Sequence, residues 1–298
     1  MKITFLGTGS MIPTKNRNHN ALLIKFRDEN ILLDCGDGTQ RQLIKAGFSP
    51  PRLTRLIITH WHGDHFLGLP GLIENLAKNQ YHGTFPIYGV PGSIHRINLI
   101  TEAMILQGKL HYEVHEVHKD GVFIDESHFT VAAMYLKHSA PCMGISFQEK
   151  DRRNIDVRKL KKLGIPKEGV HLAPLHKGKN ITWNKKVIKA NDVTSITTGK
   201  KVTFIFDTGV TPACVKLAKN SDVLVCESTF GKEHTKKARE YTHLTNIDAA
   251  TIAKKANVKK LVLSHFSQRY KDTGLLIKEA KKIFPKTIAA EDFLTIEI

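Results

Sequence analysis

The segment Thr59-His60-Trp61-His62-Gly63-Asp64-His65, at the end of the apolar run Leu53–Thr59, limits what this chain can be more than any other stretch. Three imidazoles and one carboxylate fall within six residues. In an extended segment His60 and His62 point to the same side. Asp64 and His65 are then expected in a turn that Gly63 permits, placed to serve a second cation beside the first. Imidazole with carboxylate suits zinc, and also manganese or iron. A lone histidine is usually structural or exposed, but four candidate ligands at this spacing behind a strand point to a metal centre.

Six residues cannot close two metal sites. Three isolated candidates occur later, each following a predicted strand: His138 after Phe129–Leu136, Asp207 after Val202–Phe206 and His265 after Lys260–Leu263. Together they offer a third imidazole for each ion and a carboxylate able to bridge them. A bridged pair about 3.5–4 Å apart is the usual geometry of two-metal hydrolysis. Such a centre needs no Ser or Cys nucleophile.

Around these residues the chain alternates strands and helices. Strands are expected at Lys2–Leu6, Ala21–Phe26, Ile31–Leu33, Pro86–Tyr88, Tyr112–Val117, Val122–Ile124, Gly144–Gln148 and Val223–Cys226. Helices are expected at Gln40–Ala46, Phe66–Asn79, Thr211–Ala218, Asn246–Lys255 and Thr273–Ile283. The pattern predicts a layered α/β domain spanning 1–298, with Ile3, Leu33, Leu56, Ile58, Phe204 and Leu263 in its core. No apolar run is long enough for a bilayer, and MKITFLGTGS lacks a signal-peptide core. Four scattered cysteines suggest no disulfide framework. A cytoplasmic protein is the expectation.

Charge narrows the partners. Forty-five Lys and Arg against 28 Asp and Glu leave a net +17, which draws polyanions over long range. Twelve Lys or Arg against three Asp or Glu lie between 150 and 186. That segment is expected to be a flexible inserted arm or long loop, with Arg158, Lys159, Lys161 and Lys162 available to RNA phosphates.

The set His60-x-His62-x-Asp64-His65, His138, Asp207 and His265 resembles the metallo-β-lactamase superfamily. Pro13-Thr14-Lys15-Asn16-Arg17-Asn18 matches the PxKxRN loop of the tRNase Z family. Phe66-Leu67-Gly68-Leu69-Pro70-Gly71-Leu72 and His265-Phe266-Ser267-Gln268-Arg269-Tyr270 also look like that family. Cys226-Glu227-Ser228-Thr229 stands where the family has His-Glu-Ala-Thr, and His243-Leu244-Thr245 where it has His-Ser-Thr. The arm reads Gly164-Ile165-Pro166-Lys167-Glu168-Gly169 in place of the family's Gly-Pro core.

The resemblance implies a four-layer αββα sandwich and two zinc ions per subunit, with manganese or iron as other occupants. His60, His62 and His138 would hold one ion and Asp64, His65 and His265 the other, with Asp207 between them. Asp34 would support the ligand loops without being a ligand. The implied reaction removes the 3′ trailer from precursor tRNA, with Asp64 as general base and His243, held by Glu227, assisting at the phosphate or the leaving oxygen. Pro13, Lys15, Arg17 and Asn18 would meet the acceptor stem, and the arm would reach tRNA in a homodimer. A hydrolase of the same fold acting on a small phosphodiester, lactam or thioester is the alternative.

Overall fold

The computed structural model describes residues 1–298. It carries, in chain order, β1 (Lys2–Gly7), β2 (Ala21–Phe26), β3 (Glu29–Leu33), α1 (Thr39–Lys45), β4 (Arg55–Ile57), α2 (Gly63–Phe66), α3 (Leu69–Lys78), β5 (Thr84–Gly89), α4 (Ser93–Glu102) and β6 (His111–Glu116). Next come β7 (Gly121–Asp125), β8 (Phe129–Leu136), β9 (Cys142–Glu149), β10 (Arg152–Ile155), α5 (Val157–Lys162), α6 (Ala173–His176), β11 (Ile181–Trp183), β12 (Lys186–Ile188), α7 (Ala190–Val193) and β13 (Thr194–Thr197). The chain closes with β14 (Lys201–Ile205), α8 (Pro212–Ala218), β15 (Val223–Glu227), α9 (Thr235–Glu240), α10 (Asn246–Lys255), β16 (Leu261–Ser264), α11 (Gly274–Lys281), β17 (Thr287–Ala289) and β18 (Thr295–Glu297). Two compact units result, one of residues 1–125, 131–147 and 201–298, the other of 126–130 and 148–200.

The larger unit holds two seven-stranded sheets, ordered β18-β1-β2-β3-β4-β5-β6 and β17-β16-β15-β14-β9-β8-β7. In the first, pairing is antiparallel from β18 to β3 and parallel from β3 to β6. In the second, β14 to β17 run parallel. Parallel neighbours need crossovers, and helices supply them. Leu43, Leu69, Leu72, Ile73 and Ile97 of α1, α3 and α4 pack with Leu23, Leu32, Leu56 and Phe85 of the first sheet. Cys214, Leu217, Ala249, Ala253 and Leu276 of α8, α10 and α11 pack with Ile205, Leu224, Leu261 and Leu263 of the second.

The opposite faces of the sheets are apolar too. Phe26 and Phe147, one from each sheet, meet edge to face at 5.4 Å between centroids. Burial on both faces explains why Ala21–Ile24 of β2 and Val223–Cys226 of β15 read as continuous apolar runs with no alternation. This is the αββα order implied by the resemblance. All six expected core residues have 0% exposure, and the four cysteines are buried and unbridged.

Some expectations need correction. Only Arg55–Ile57 of the run Leu53–Thr59 pairs as a strand, because Pro50–Arg52 forms a short helical turn just before it. The single helix expected over Phe66–Asn79 is two, since the chain restarts at Gly68 with Pro70 in the first turn of α3. Residues 150–186, expected as a flexible inserted arm or long loop, lie in a unit with its own secondary structure. There β10 pairs with β13 and β11 with β12, and Leu160, Ile165, Leu172, Leu175, Ala190 and Val193 form a small core.

Gly68 fixes the approach of α3 to the Cys35–Gly36 loop. Its φ of −79° suits any residue, but a Cβ there would lie 2.1 Å from the Gly36 carbonyl oxygen. Gly68→Ala is expected to cost about 1–3 kcal/mol by overpacking, read as a lower urea midpoint with an unchanged slope. An unchanged midpoint would mean that the Cys35–Gly36 backbone yields freely.

Candidate metal centre

The histidine motif leaves β4 extended and turns helical within three residues. His62 caps α2 with extended dihedrals, and the His65 amide donates to the His62 carbonyl at 2.9 Å. Gly63 is not left-handed, so the expected glycine turn is the ordinary start of a helix. That start lifts Asp64 and His65 off the line of His60 and His62. His138 follows β8, Asp207 follows β14 and His265 follows β16, so the cluster is assembled from the ends of four strands.

Two groups of ligand atoms converge: His60, His62, His138 with Asp207, and Asp64, His65, His265 with Asp207. Asp207 is common to both. Its Oδ2 is 3.5 Å from His60 Nε2 and 3.7 Å from His138 Nε2, while its Oδ1 is 3.0 Å from His265 Nε2 and 3.4 Å from His65 Nε2.

The tautomers decide what such a cluster can accept. His65 Nδ1 donates to Asp34 Oδ2 at 2.7 Å, His265 Nδ1 donates to Thr229 Oγ1 at 3.0 Å, and His138 Nδ1 donates to the Thr242 carbonyl at 3.2 Å. Each ring therefore turns a lone pair inward from Nε2. The inward nitrogens of His65 and His265 stand 3.2 Å apart, and His138 Nε2 stands 3.1 Å from His62 Nδ1. Buried and without a partner beside them are His60 Nε2, Asp64 Oδ1 and Asp207 Oδ1. Acceptors facing acceptors, two of them carboxylates, form a cavity suited to cations. The donor set fits a pair of divalent ions.

The same field acts on protons. Burial opposes charge on His65, yet Asp34, Asp64 and Asp207 raise its pKa well above the ordinary value. Burial also opposes the Asp64 and Asp207 anions, and the surrounding histidines nonetheless hold both well below the usual carboxylate range. His60 goes the other way, lowered to about 4 by burial and by the neighbouring His65.

Asp34 lies one step out. Its φ of +59° turns the carboxylate back, where it also accepts from the Thr59 amide at 2.8 Å and from Asn20 Nδ2 at 2.8 Å. On the other side, fully buried Glu227 takes the Thr208 amide at 2.7 Å and the Thr229 hydroxyl at 2.5 Å. His243 Nδ1 lies 3.1 Å from Glu227 Oε2. Burial disfavours a charged His243, but the Glu227 carboxylate, with Asp207 and Asp64, outweighs it and raises the pKa to about 9. A cationic imidazole thus borders an anionic cluster, with Nε2 left as its remaining donor.

Thr229, Thr59 and Asn20 carry this orienting network, and none was singled out from sequence. Hydroxyls and amides leave no periodic signal, although Thr59 and Thr229 each adjoin a motif that was.

A cavity of about 510 Å³ opens over the cluster. Its lining includes Asp64, Asp207, His243, Ser10, Met11, Ile12, Tyr241 and Arg269, but not Pro13, Lys15, Arg17 or Asn18. Lys15 and Pro13 are exposed. Arg17 donates to the Tyr270 carbonyl at 2.6 Å and lies over the Phe266 ring. Asn18 is tied by its amide to Asp292 Oδ2 at 2.8 Å. In the smaller unit, Arg158, Lys159, Lys161 and Lys162 are exposed on α5 around buried Leu160, and Asp156 caps that helix.

Comparison with known proteins places this geometry among relatives. The chain is 37% identical to ribonuclease Z of Methanothermobacter thermautotrophicus over 100% of this chain and 97% of the relative. The short form of human tRNase Z superposes with a TM-score of 0.73 at 29% identity, covering 100% of this chain and 99% of that one. The metallo-β-lactamase fold protein YhfI from Bacillus subtilis superposes with a TM-score of 0.72 at 20% identity, covering 100% and 98%, a likeness of fold. Residues 1–150 match the family model described as anti-Pycsar protein Apyc1.

Removing bound metal with a chelator is expected to lower the melting temperature, because facing lone pairs and buried carboxylates lose their counter-charge. Zinc or manganese at about 100 times its Kd would restore about 2.7 kcal/mol. Asp207→Ala should abolish both the metal content, measured by elemental analysis, and the chelator's effect. A chelator-insensitive wild-type melt would rule out a metal centre here.

Proposed function

We infer the reaction from the premise that the full-length relatives supply: this chain belongs to the ribonuclease Z family. It is a metal-dependent endoribonuclease that processes the 3′ end of precursor tRNA. In finer terms, we propose that it cuts just after the discriminator nucleotide, leaving a 3′-hydroxyl on the tRNA and a 5′-phosphate on the trailer. The observation that carries this reading is His243, seated 3.1 Å from Glu227 beside the convergent ligand groups in one open cavity.

We assign His60, His62 and His138 to one zinc ion and Asp64, His65 and His265 to the other, with Asp207 shared; manganese or iron suits the same donors. Two such ions, when bound, make a water nucleophilic at neutral pH and neutralise phosphoryl charge. The protein's own groups handle the protons. Asp64, whose Oδ1 is buried and unpartnered, takes the proton of the attacking water in this reading. His243 Nε2 carries a proton toward the leaving 3′ oxygen, and Glu227 holds the ring that delivers it.

The arm supplies reach. Its exposed Arg158, Lys159, Lys161 and Lys162 suit a phosphate backbone in a salt-sensitive contact, made in our reading to tRNA within a homodimer. Lys15 supplies the loop's phosphate contact, since Arg17 is engaged with Tyr270 and Phe266. No helix is long and apolar enough to cross a membrane, and we place the reaction in the cytoplasm. A small-phosphodiester, lactam or thioester hydrolase would use the same cluster. The Apyc1 match over residues 1–150 covers His60 to His138 but ends before Asp207, Glu227, His243 and His265, whereas the ribonuclease Z relative matches across all of them.

Cleavage of a 5′-labelled precursor tRNA tests the reading. A single metal-dependent cut after the discriminator is expected, and hydrolysis of only a simple phosphodiester would move the substrate to the alternative. His243→Ala should retain both metals and lose about 10²–10⁴-fold in kcat. Asp64→Ala should abolish cleavage with partial loss of metal.

Charge removal is the sounder test of the arm, because deleting residues 158–179 would take out Leu160, Leu172 and Leu175 of its core. Replacing Arg158, Lys159, Lys161 and Lys162 with Gln is expected to raise KM for precursor tRNA and flatten its salt dependence, with kcat on a small phosphodiester unchanged. Equal losses on both substrates would count against tRNA docking.

A further inference from the structure

The cavity over the metal cluster has a second chemistry that the metals and the general acid do not use. Tyr241 lines it, and 56% of that residue is exposed. Its ring is stacked on Phe230 at an interplanar angle of 19°, with centroids 6.5 Å apart. Phe230 itself is buried and lies 6.0 Å from the His243 ring. The guanidinium of Arg269 sits 5.0 Å over Phe230 from another segment, and the side chains of Arg269 and Lys237 reach the same cavity. Met11 and Ile12, 61% and 48% exposed, line it as well.

An exposed aromatic braced by a buried one, flanked by two cations and continuous with the reacting centre, matches single-stranded RNA. Bases splayed from a strand stack on aromatic rings, while Lys and Arg take the adjoining phosphates. A protein partner would leave the cavity's floor of carboxylates and imidazoles unexplained. Membrane lipid would leave the planar Tyr241–Phe230 stack without a purpose.

We propose that Tyr241 is the stacking platform for the base of the nucleotide whose 3′ oxygen leaves, the discriminator base in the reading above, on which this inference rests. The assignment to that nucleotide follows from connectivity. His243 delivers its proton to the leaving oxygen, so the ribose bearing that oxygen lies against His243, and Phe230 links His243 to Tyr241. The base attached to that ribose therefore meets Tyr241. Lys237 and Arg269 are left for the flanking phosphates. Stacking tolerates any base, which suits a position that is cut whatever nucleotide it carries. Its role is to position the scissile phosphate, and Tyr241 takes part in no proton transfer.

The test is a two-by-two comparison of kcat/KM. Wild type and Tyr241→Ala are each given a precursor tRNA with an intact discriminator and one in which that nucleotide is abasic. With the intact substrate, Tyr241→Ala is expected to lose about 10-fold, the size of one base–aromatic stack. With the abasic substrate the loss should shrink to less than about twofold. Tyr241→Phe, which keeps the ring, should recover most of the wild-type value. Metal content and melting temperature of both variants check that the centre is intact. An equal loss on the two substrates would make Tyr241 merely structural, and no loss on either would overturn the platform, while wild-type cleavage stands in both cases. Absence of wild-type cleavage would instead overturn the tRNA reading, and the platform with it.

Discussion

The mutual repulsion of inward-facing lone pairs at Asp207 organises the structure. Asp207 offers one carboxylate oxygen toward His60 and His138 and the other toward His65 and His265, and as neutral rings these imidazoles place no donor among them. A folded chain tolerates such an arrangement only if cations complete it, or if protons enter where cations would sit. The positions of the strands can be understood from this requirement. β4, β8, β14 and β16 end together and bring residues from 60 to 265 into contact. The apolar faces behind them pack tightly enough to hold those ends in place. Around the cluster, Asp34, Thr229 and the Thr242 carbonyl each take one Nδ1 proton, so ring orientation is settled before any metal arrives.

Much of this was legible in the sequence, and the reasons are particular. His60, His62, Asp64 and His65 declared themselves because a metal needs several ligands and four lay within six residues. His138, Asp207 and His265 could be found because each follows an apolar strand, where side chains project from a sheet edge. The core residues were legible for the same reason, since burial on both faces makes strands uniformly apolar. The limits are equally physical. The break between α2 and α3 depends on Pro70 and on the close approach of Gly68 to Gly36, and that contact lies 32 residues back along the chain. The packing of Arg17 was not legible, because a cation's sequence neighbours do not reveal an aromatic ring and a carbonyl waiting at Phe266 and Tyr270.

The arm shows how composition can mislead. A stretch with twelve cations against three anions reads as a flexible arm or loop, yet four apolar side chains spaced among those cations, with Ala190 and Val193 just beyond them, close a small core. Leu160 is buried while its neighbours on α5 stay exposed. The charges therefore stand on a folded scaffold, which costs less entropy when a polyanion is bound than ordering a free coil would.

Asp34, Asp207 and His265 all have left-handed backbone, with φ of +59°, +40° and +57°. Glycine would adopt that conformation with less strain, and at each site costs of order 1–3 kcal/mol are typical for other residues. Here the side chain that causes the strain is also the one that faces the cluster. Relieving that strain with glycine would forfeit the Asp34 hydrogen bonds to Thr59, Asn20 and His65, and at Asp207 and His265 the stability that bound metal returns. These loops therefore hold a backbone cost that the apo chain carries unrelieved and that metal binding offsets, so strain and metal affinity are set by the same three residues.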